Sequence, residues 1–140
     1  MTDKHSHKFP LGIHHRNEVC AKSGRPLHEL TLDHVQAGDI QPDDLYASAE
    51  TLNLQAKFAL DAGYAEVAAN LIRAAEMTQI PNAEILEVYE ALRPGRSTYY
   101  QLLSLSQQII SMYGAEHTGA YIRDAAEAYR ETVLLKKNKL

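Results

Sequence analysis

Apolar residues recur every three or four positions along most of the chain after residue 30, a spacing that places them on one face of an α-helix. The segments with this spacing are 31–38, 49–62, 64–79, 81–93, 98–113 and 117–137. None of the chain shows the alternating pattern of a strand over a convincing length. The pattern therefore predicts an all-α protein of five to six helices in a compact, bundle-like arrangement with short connections between antiparallel neighbours.

Residues that start and stop helices stand at the ends of these segments. Thr31 and Ser48 are typical N-caps, Gly38 and Gly63 are typical helix ends, and Gly114 separates the last two helices. The stretch DIQPDDL before Ser48 is expected to form a turn or a single helical turn.

The apolar stripes predict which side chains are buried, and the many alanines of the third helix indicate a close approach between helices. The predicted buried residues are Leu52, Ala56, Phe58, Ala59 and Leu60; Val67, Ala68, Leu71, Ala74, Ala75 and Thr78; Ile85, Val88, Tyr89 and Leu92; Leu102, Leu103, Leu105, Ile109, Ile110 and Tyr113; and Ile122, Ala125, Tyr129 and Val133.

Residues 1–30 differ from the rest, because histidine, proline and glycine are frequent there and no helical period is present. Ser-Gly and Pro26 in KSGRPL form a turn signal. We predict an extended N-terminal arm over residues 1–30, followed by one helical domain over residues 31–140. The apolar residues of the arm, Phe9 and Leu11 among them, form no core of their own, so the arm is expected to lie along another surface.

Composition favours a cytoplasmic protein. The chain has one cysteine, its first residues lack a secretory apolar stretch, and no apolar run approaches the roughly 20 residues of a membrane helix. The net charge of −4 argues against nucleic-acid binding. Residues 31–92 carry a net charge of −9 and residues 93–140 a net charge of +3. This polarity suits docking onto charged partners, although a solvated helical surface explains it equally well.

Histidines in the first 30 residues raise the question of a metal site. His5, His7, His14 and His15 precede Cys20, but a zinc site needs ligands on a backbone that is held in place. No Cys-x-x-Cys motif supports them. We expect a solvated, histidine-rich segment and predict no metal ligand.

Other candidates for catalysis are equally weak. The pairs Asp43–Asp44 and Glu84–Glu87 stand in a turn or on a polar helix face among other acids, where solvated charge is expected. His34 and His117 have no evident partner, and the motifs of nucleotide loops and hydrolytic nucleophiles are absent. The sequence therefore predicts no catalytic and no cofactor-binding residue.

The segment ALRPGRST, residues 91–98, is a corner between two predicted helices. Arg93 ends the first helix, and Ser97 is placed to cap the second. Arg96 stands beside a positive helix end, which is unfavourable unless it pairs with an acid of residues 31–92, a carboxylate of a partner protein or a small anion. We favour a protein carboxylate, because arginine is a frequent interface anchor.

The same corner lies in the stretch RAAEMTQIPNAEILEVYEALRPGRSTYYQLLSLS, which resembles the small (gamma) subunit of adenosylcobalamin-dependent diol and glycerol dehydratases. LTLDHVQAGDIQPDDL, ETLNLQAKFALDAG and AYIRDAAEAYRE also resemble that family, and the likeness runs from about Phe9 to Lys137. The family has a large aromatic residue where this chain has Gly95. This departure predicts a freer corner, with Tyr99 or Tyr100 as one possible replacement for the missing ring.

The resemblance implies a subunit without its own active site, in an enzyme that converts propane-1,2-diol or glycerol to an aldehyde and water by a radical mechanism. It implies that adenosylcobalamin is held by the large and medium subunits, that the small subunit packs on the large one, and that the assembly is a dimer of heterotrimers. Subunit contact is assigned to Ile80, Pro81, Tyr89, Leu92, Arg93, Pro94, Arg96 and Ser97.

The complex is expected in the cytoplasm, and packaging in a bacterial microcompartment is left open. The chain starts without the long amphipathic leader of some relatives, which favours the absence of its own packaging signal.

The alternative function is a free-standing helical module for protein interaction or regulation, which the periodicity alone would support equally well.

Overall fold

The computed structural model describes residues 10–132 and 134–135. Over these residues the α-helices are α1 (Leu11–His14), α2 (Leu32–Gln36), α3 (Ala49–Asp61), α4 (Ala65–Met77), α5 (Asn82–Ala91), α6 (Tyr99–Tyr113) and α7 (Glu116–Glu131). Short 3-10 helices span Leu27–Glu29 and Pro42–Asp44. The prediction of an all-α protein is confirmed, and α2 to α7 are the six predicted helices.

The chain forms two compact units, residues 1–75 and residues 76–140. The predicted domain limits, 1–30 and 31–140, stay a prediction. Within the described residues, no helix combines the length and the apolar character that crossing a bilayer requires.

Residues 10–30 were predicted as an extended arm, and the structure corrects that prediction for this part. Leu11 is buried in the short helix α1. An antiparallel bridge joins Cys20 to Pro26 around the predicted turn, in which the N–H of Ala21 donates to the carbonyl of Arg25 at 2.9 Å. The Thr51 hydroxyl of α3 donates to the Cys20 carbonyl at 3.0 Å. This segment therefore has partners inside its own unit. Phe9, His5 and His7 lie outside the described residues.

Asp44 holds the turn before α3 in place. It is buried, and its carboxylate accepts hydrogen bonds from the Ser23 hydroxyl and from the N–H of Gln41, while Arg25 Nε lies 3.2 Å from Oδ1. The hydrogen bond from Ser23, followed by that from Gln41, lowers the pKa of Asp44 against the effect of burial, and Arg25 adds to this. Solvated charge was the wrong expectation for Asp44, because its partner Ser23 is 21 positions away in the sequence.

Helix ends in the first unit follow the predicted signals. Thr31 caps α2 and Ser48 caps α3 through their side chains. Ala56 and Phe58 of α3 are buried, as predicted, but Leu60 and, in α4, Val67 are exposed. Leu60 lies four positions after the buried Ala56, so helical spacing alone could not reveal its exposure.

The core of the second unit lies between α5, α6 and α7. Leu102, Ile109 and Ile122 are almost completely buried, as predicted, and Ile80, Val88, Ala115 and Ala126 complete the cluster. The prediction for Val133 falls outside the described residues.

Helices α6 and α7 approach closely at Gly119. The Ser106 hydroxyl donates to the Gly119 carbonyl at 2.7 Å, and both residues are buried. A Cβ atom at Gly119 would lie 2.3 Å from Ile110 Cγ1 and 3.1 Å from the Ser106 carbonyl oxygen. Only glycine therefore fits this crossing without displacement of its neighbours.

Glu76 closes the N-terminus of α7. The N-cap residue, Ala115, offers no capping side chain. Glu76 Oε1 instead accepts from the N–H of His117 at 2.9 Å, and Oε2 accepts from the N–H and the hydroxyl of Thr118 at 2.7 and 2.6 Å. Burial raises the pKa of Glu76, but the hydrogen bonds from Thr118 and His117 outweigh this and hold the pKa below its ordinary value.

Candidate functional site

The corner between α5 and α6 is short and well defined. Helix α5 ends at Ala91, and Gly95 adopts a positive φ of 75°. Thr98, rather than Ser97, is the N-cap of α6, and its hydroxyl accepts from the N–H of Gln101 while the Gln101 side chain accepts from the N–H of Thr98. The capping assignment to Ser97 was therefore wrong by one residue, because Thr-Tyr-Tyr-Gln completes a capping box that Ser97 cannot form.

The end of α7 fixes this corner. The N–H of Gly95 donates to the carbonyl of Leu134 at 2.7 Å, and the Tyr129 hydroxyl donates to the carbonyl of Leu92. The corner is thus attached on both sides of Pro94. Gly95 therefore contributes to the corner through its backbone, and the expectation that its lack of a ring makes the corner freer stays a prediction.

Tyr99 and Tyr100 occupy different environments. Tyr99 packs against the core, donates a hydrogen bond to Glu127 and has the Arg130 guanidinium 4.9 Å from its ring centre. The hydrogen bond to Glu127, followed by burial, raises the pKa of Tyr99. Tyr100 is exposed. The replacement of the missing aromatic ring by either residue stays a prediction.

Two arginines of the corner share one carboxylate. Glu90 Oε2 lies 3.0 Å from Arg93 Nη1, and Glu90 Oε1 lies 3.1 Å from Arg96 Nε. The sequence left three kinds of partner open for Arg96. The structure shows the first kind, an acid of residues 31–92, which is Glu90. All three side chains are exposed, so the cluster stands at the surface and contributes little to stability.

The residues assigned to subunit contact lie in different positions. Ile80 is buried in the core, Leu92 and Ser97 are half-buried, and Pro81, Tyr89, Arg93, Pro94 and Arg96 are exposed. Burial of Tyr89 was the wrong prediction, although exposure suits its assignment to a contact. The assignment itself stays a prediction.

Leu86 is a surface residue that the sequence reasoning missed. Its exposed fraction is 67%, and that of Tyr89 is 61%. The two residues are three positions apart in α5 and therefore neighbours on one helix face. Helix geometry could have predicted this exposure. Successive residues are about 100° apart around a helix, so Leu86 lies outside the buried stripe that contains Ile85.

Comparison with known proteins identifies the family of this chain. The chain matches the family model described as "Dehydratase small subunit" over residues 4–136. It belongs to the dehydratase small-subunit family. It is 39% identical to the propanediol dehydratase small subunit of Salmonella typhimurium (strain LT2) and 38% identical to that of Citrobacter freundii. Each comparison covers 128 residues, which are 91% of this chain and 74% of the relative.

Two histidines of this dehydratase small subunit have partners that the sequence did not reveal. His34 Nδ1 lies 2.7 Å from the Thr31 hydroxyl, and His117 Nδ1 lies 2.8 Å from Glu76 Oε1. The expectation that neither has a partner was wrong. His14 is exposed, and His15 contacts Glu18. Within residues 10–132 and 134–135, no group of three or more potential ligands could hold a metal ion.

The acid Glu84 also has a structural partner. It accepts a hydrogen bond from the Tyr113 hydroxyl, which raises the pKa of Tyr113 together with burial. Among the described residues, its second oxygen, Oε2, is buried without a hydrogen-bond partner. The expectation of solvated charge suits Glu87, which is exposed, and was wrong for Glu84, which is half-buried.

Proposed function

We propose that this chain is the small, non-catalytic subunit of a diol dehydratase, which converts propane-1,2-diol or glycerol to an aldehyde and water. The observation that carries the proposal is the 38–39% identity over 91% of the chain to two propanediol dehydratase small subunits. The proposed role is to stabilise the complex by packing on the large subunit. The proposed domain limits are residues 1–30 for the N-terminal segment, which is not extended over residues 10–30, and residues 31–140 for the helical domain.

The radical chemistry is proposed to belong to adenosylcobalamin, held by the large and medium subunits in a dimer of heterotrimers. The carboxylates of this chain support the proposal that the chemistry belongs to the other subunits. Asp44, Glu76 and Glu127 are engaged with Arg25, Thr118 and Tyr99, and these contacts join elements of the fold. We therefore propose no reaction step on the residues of this chain. The proposed location is the bacterial cytoplasm, inside or outside a microcompartment.

Co-expression tests this function. The chain, produced together with large and medium diol dehydratase subunits, is expected to purify as a stable complex that dehydrates propane-1,2-diol when adenosylcobalamin is added. The chain alone is expected to show no such activity, and the larger pair alone is expected to be less stable. Full activity and stability of the larger pair without this chain would contradict the proposal and favour the free-standing helical module.

A further inference from the structure

Helix α5 carries large apolar side chains on two sides. On the inner side, Val88 is buried in the core of the second unit, and Ile85 and Leu92 pack against that core. On the outer side, Leu86 and Tyr89 are exposed neighbours. An ordinary surface helix buries one apolar stripe and turns polar residues outwards. Exposure alone does not distinguish this pair from other exposed apolar residues of the chain, so the charged groups beside it decide whether it marks a contact.

The C-terminal end of the same side carries an excess of positive charge. Arg93 and Arg96 each contact one oxygen of Glu90, so the cluster of three residues has a net charge of +1. A guanidinium has five N–H donors in a planar fork, and each of these two is exposed and contacts Glu90 through one nitrogen. A second carboxylate, supplied from outside, would match the remaining donors in charge and geometry.

We propose that the α5 face, defined as Leu86, Tyr89, Arg93 and Arg96, docks on the large dehydratase subunit. This inference rests on the proposed function and adds the chemistry of the partner: an apolar pocket for Leu86 and Tyr89 and a carboxylate for the two arginines. Aromatic residues and arginine are the side chains enriched among the strongest contributors to protein interfaces. A second copy of the chain is a poorer partner, because a symmetric contact would set two positively charged clusters against each other.

The chain offers a matched control for the apolar half. Leu60 and Tyr64, in the first unit, have exposed fractions of 60% and 65%, close to those of Leu86 and Tyr89. The variant Leu86→Ser with Tyr89→Ser is compared with Leu60→Ser with Tyr64→Ser for binding to an immobilised complex of the large and medium subunits. The α5 pair is expected to weaken affinity about 10- to 100-fold, and the control pair by less than about twofold. Circular dichroism checks that both variants fold.

Charge reversal tests the arginine half. Arg96→Glu is expected to weaken binding at least about tenfold, Arg96→Lys to weaken it less, and Arg123→Glu, an exposed arginine on α7, to leave it nearly unchanged. Equal losses for Arg96→Glu and Arg123→Glu, or for the two apolar pairs, would overturn the assignment of the α5 face.

Two outcomes separate this inference from the proposed function. If the wild-type chain does not bind the larger pair at all, the proposed function fails. If it binds and the α5-face variants bind equally well, only the inference fails. Sedimentation of the isolated chain tests whether a second copy of the chain is the partner instead. If the chain self-associates, and the α5-face variants abolish this but still bind the larger pair, the surface belongs to a second copy and the proposal is overturned.

Discussion

Glu76 and Thr118 are joined by two hydrogen bonds, from the backbone N–H and the hydroxyl of Thr118 to Glu76 Oε2, at 2.7 and 2.6 Å. The two residues are 42 positions apart, so a side chain at the end of α4 satisfies the free N–H groups at the start of α7. A carboxylate at this position also interacts favourably with the positive end of the helix dipole. The contact thus performs the task of an N-cap that Ala115 cannot perform.

The substitution Glu76→Gln tests the strength of this contact. It keeps the size of the side chain but removes its charge and one strong acceptor, so the free energy of unfolding is expected to fall by about 1–2 kcal/mol. Urea denaturation of the purified chain measures the difference. Glu87→Gln, an exposed acid on α5, is the control and is expected to change the free energy by less than about 0.5 kcal/mol. Equal effects of the two substitutions would show that Glu76 does not act as a cap.

The contribution of Glu76 depends on pH in a defined direction. Because folding lowers the pKa of Glu76 from its ordinary value of 4.5, the ionised form stabilises the fold. The stability advantage of wild type over Glu76→Gln is therefore expected to be full near pH 7 and to shrink as the pH falls below 4.5. Denaturation of both proteins between pH 7 and pH 3 measures this difference. An advantage that grows on acidification would reverse the assigned sign.

Gly119→Ala tests the close crossing of α6 and α7. The new methyl group would meet Ile110 Cγ1 at 2.3 Å, and the expected overpacking cost of about 1–3 kcal/mol exceeds the gain in helix propensity. Thermal and urea denaturation measure the loss. In an Ile110→Ala background the same substitution is expected to cost much less, because the colliding atoms are gone. An unchanged cost in that background would place the strain elsewhere, at the Ser106 carbonyl.

Local signals were sufficient to predict the six helices α2 to α7. Thr31 and Ser48 cap their helices as expected, and Leu102, Ile109 and Ile122 form the centre of the core. Both kinds of prediction depend on residues within one or two helical turns of each other. Spacing of three and four positions and capping chemistry are properties of the local chain, which a single sequence displays directly.

Contacts between distant residues could not be read in the same way. The pairs Gly95–Leu134, Glu76–Thr118 and Tyr129–Leu92 join residues 37 to 42 positions apart, and no local pattern marks them. For this reason the sequence did not reveal the hydrogen bonds that attach the corner. Tyr89 shows a different limit: it belongs to a predicted buried stripe but is exposed, because whether a side chain on a stripe is covered depends on what packs there.

Two substitutions at Gly95 test whether its positive φ, and not crowding around the residue, makes glycine necessary at this position. A Cβ atom at Gly95 would meet nothing within 4 Å, so any cost of substitution comes from the backbone angle of 75°. Gly95→Ala is expected to lower the free energy of unfolding by about 1–2 kcal/mol, and Gly95→Asn by less, because asparagine tolerates this region better. Denaturation of the two variants measures the order of the costs.

The same substitution is expected to affect binding. Because the N–H of Gly95 donates to Leu134, the strain falls on the corner that positions Arg96, and Gly95→Ala is also expected to weaken binding to the larger subunits. Equal costs for alanine and asparagine would show that the corner does not require a left-handed residue and would remove the backbone explanation for its fixed geometry.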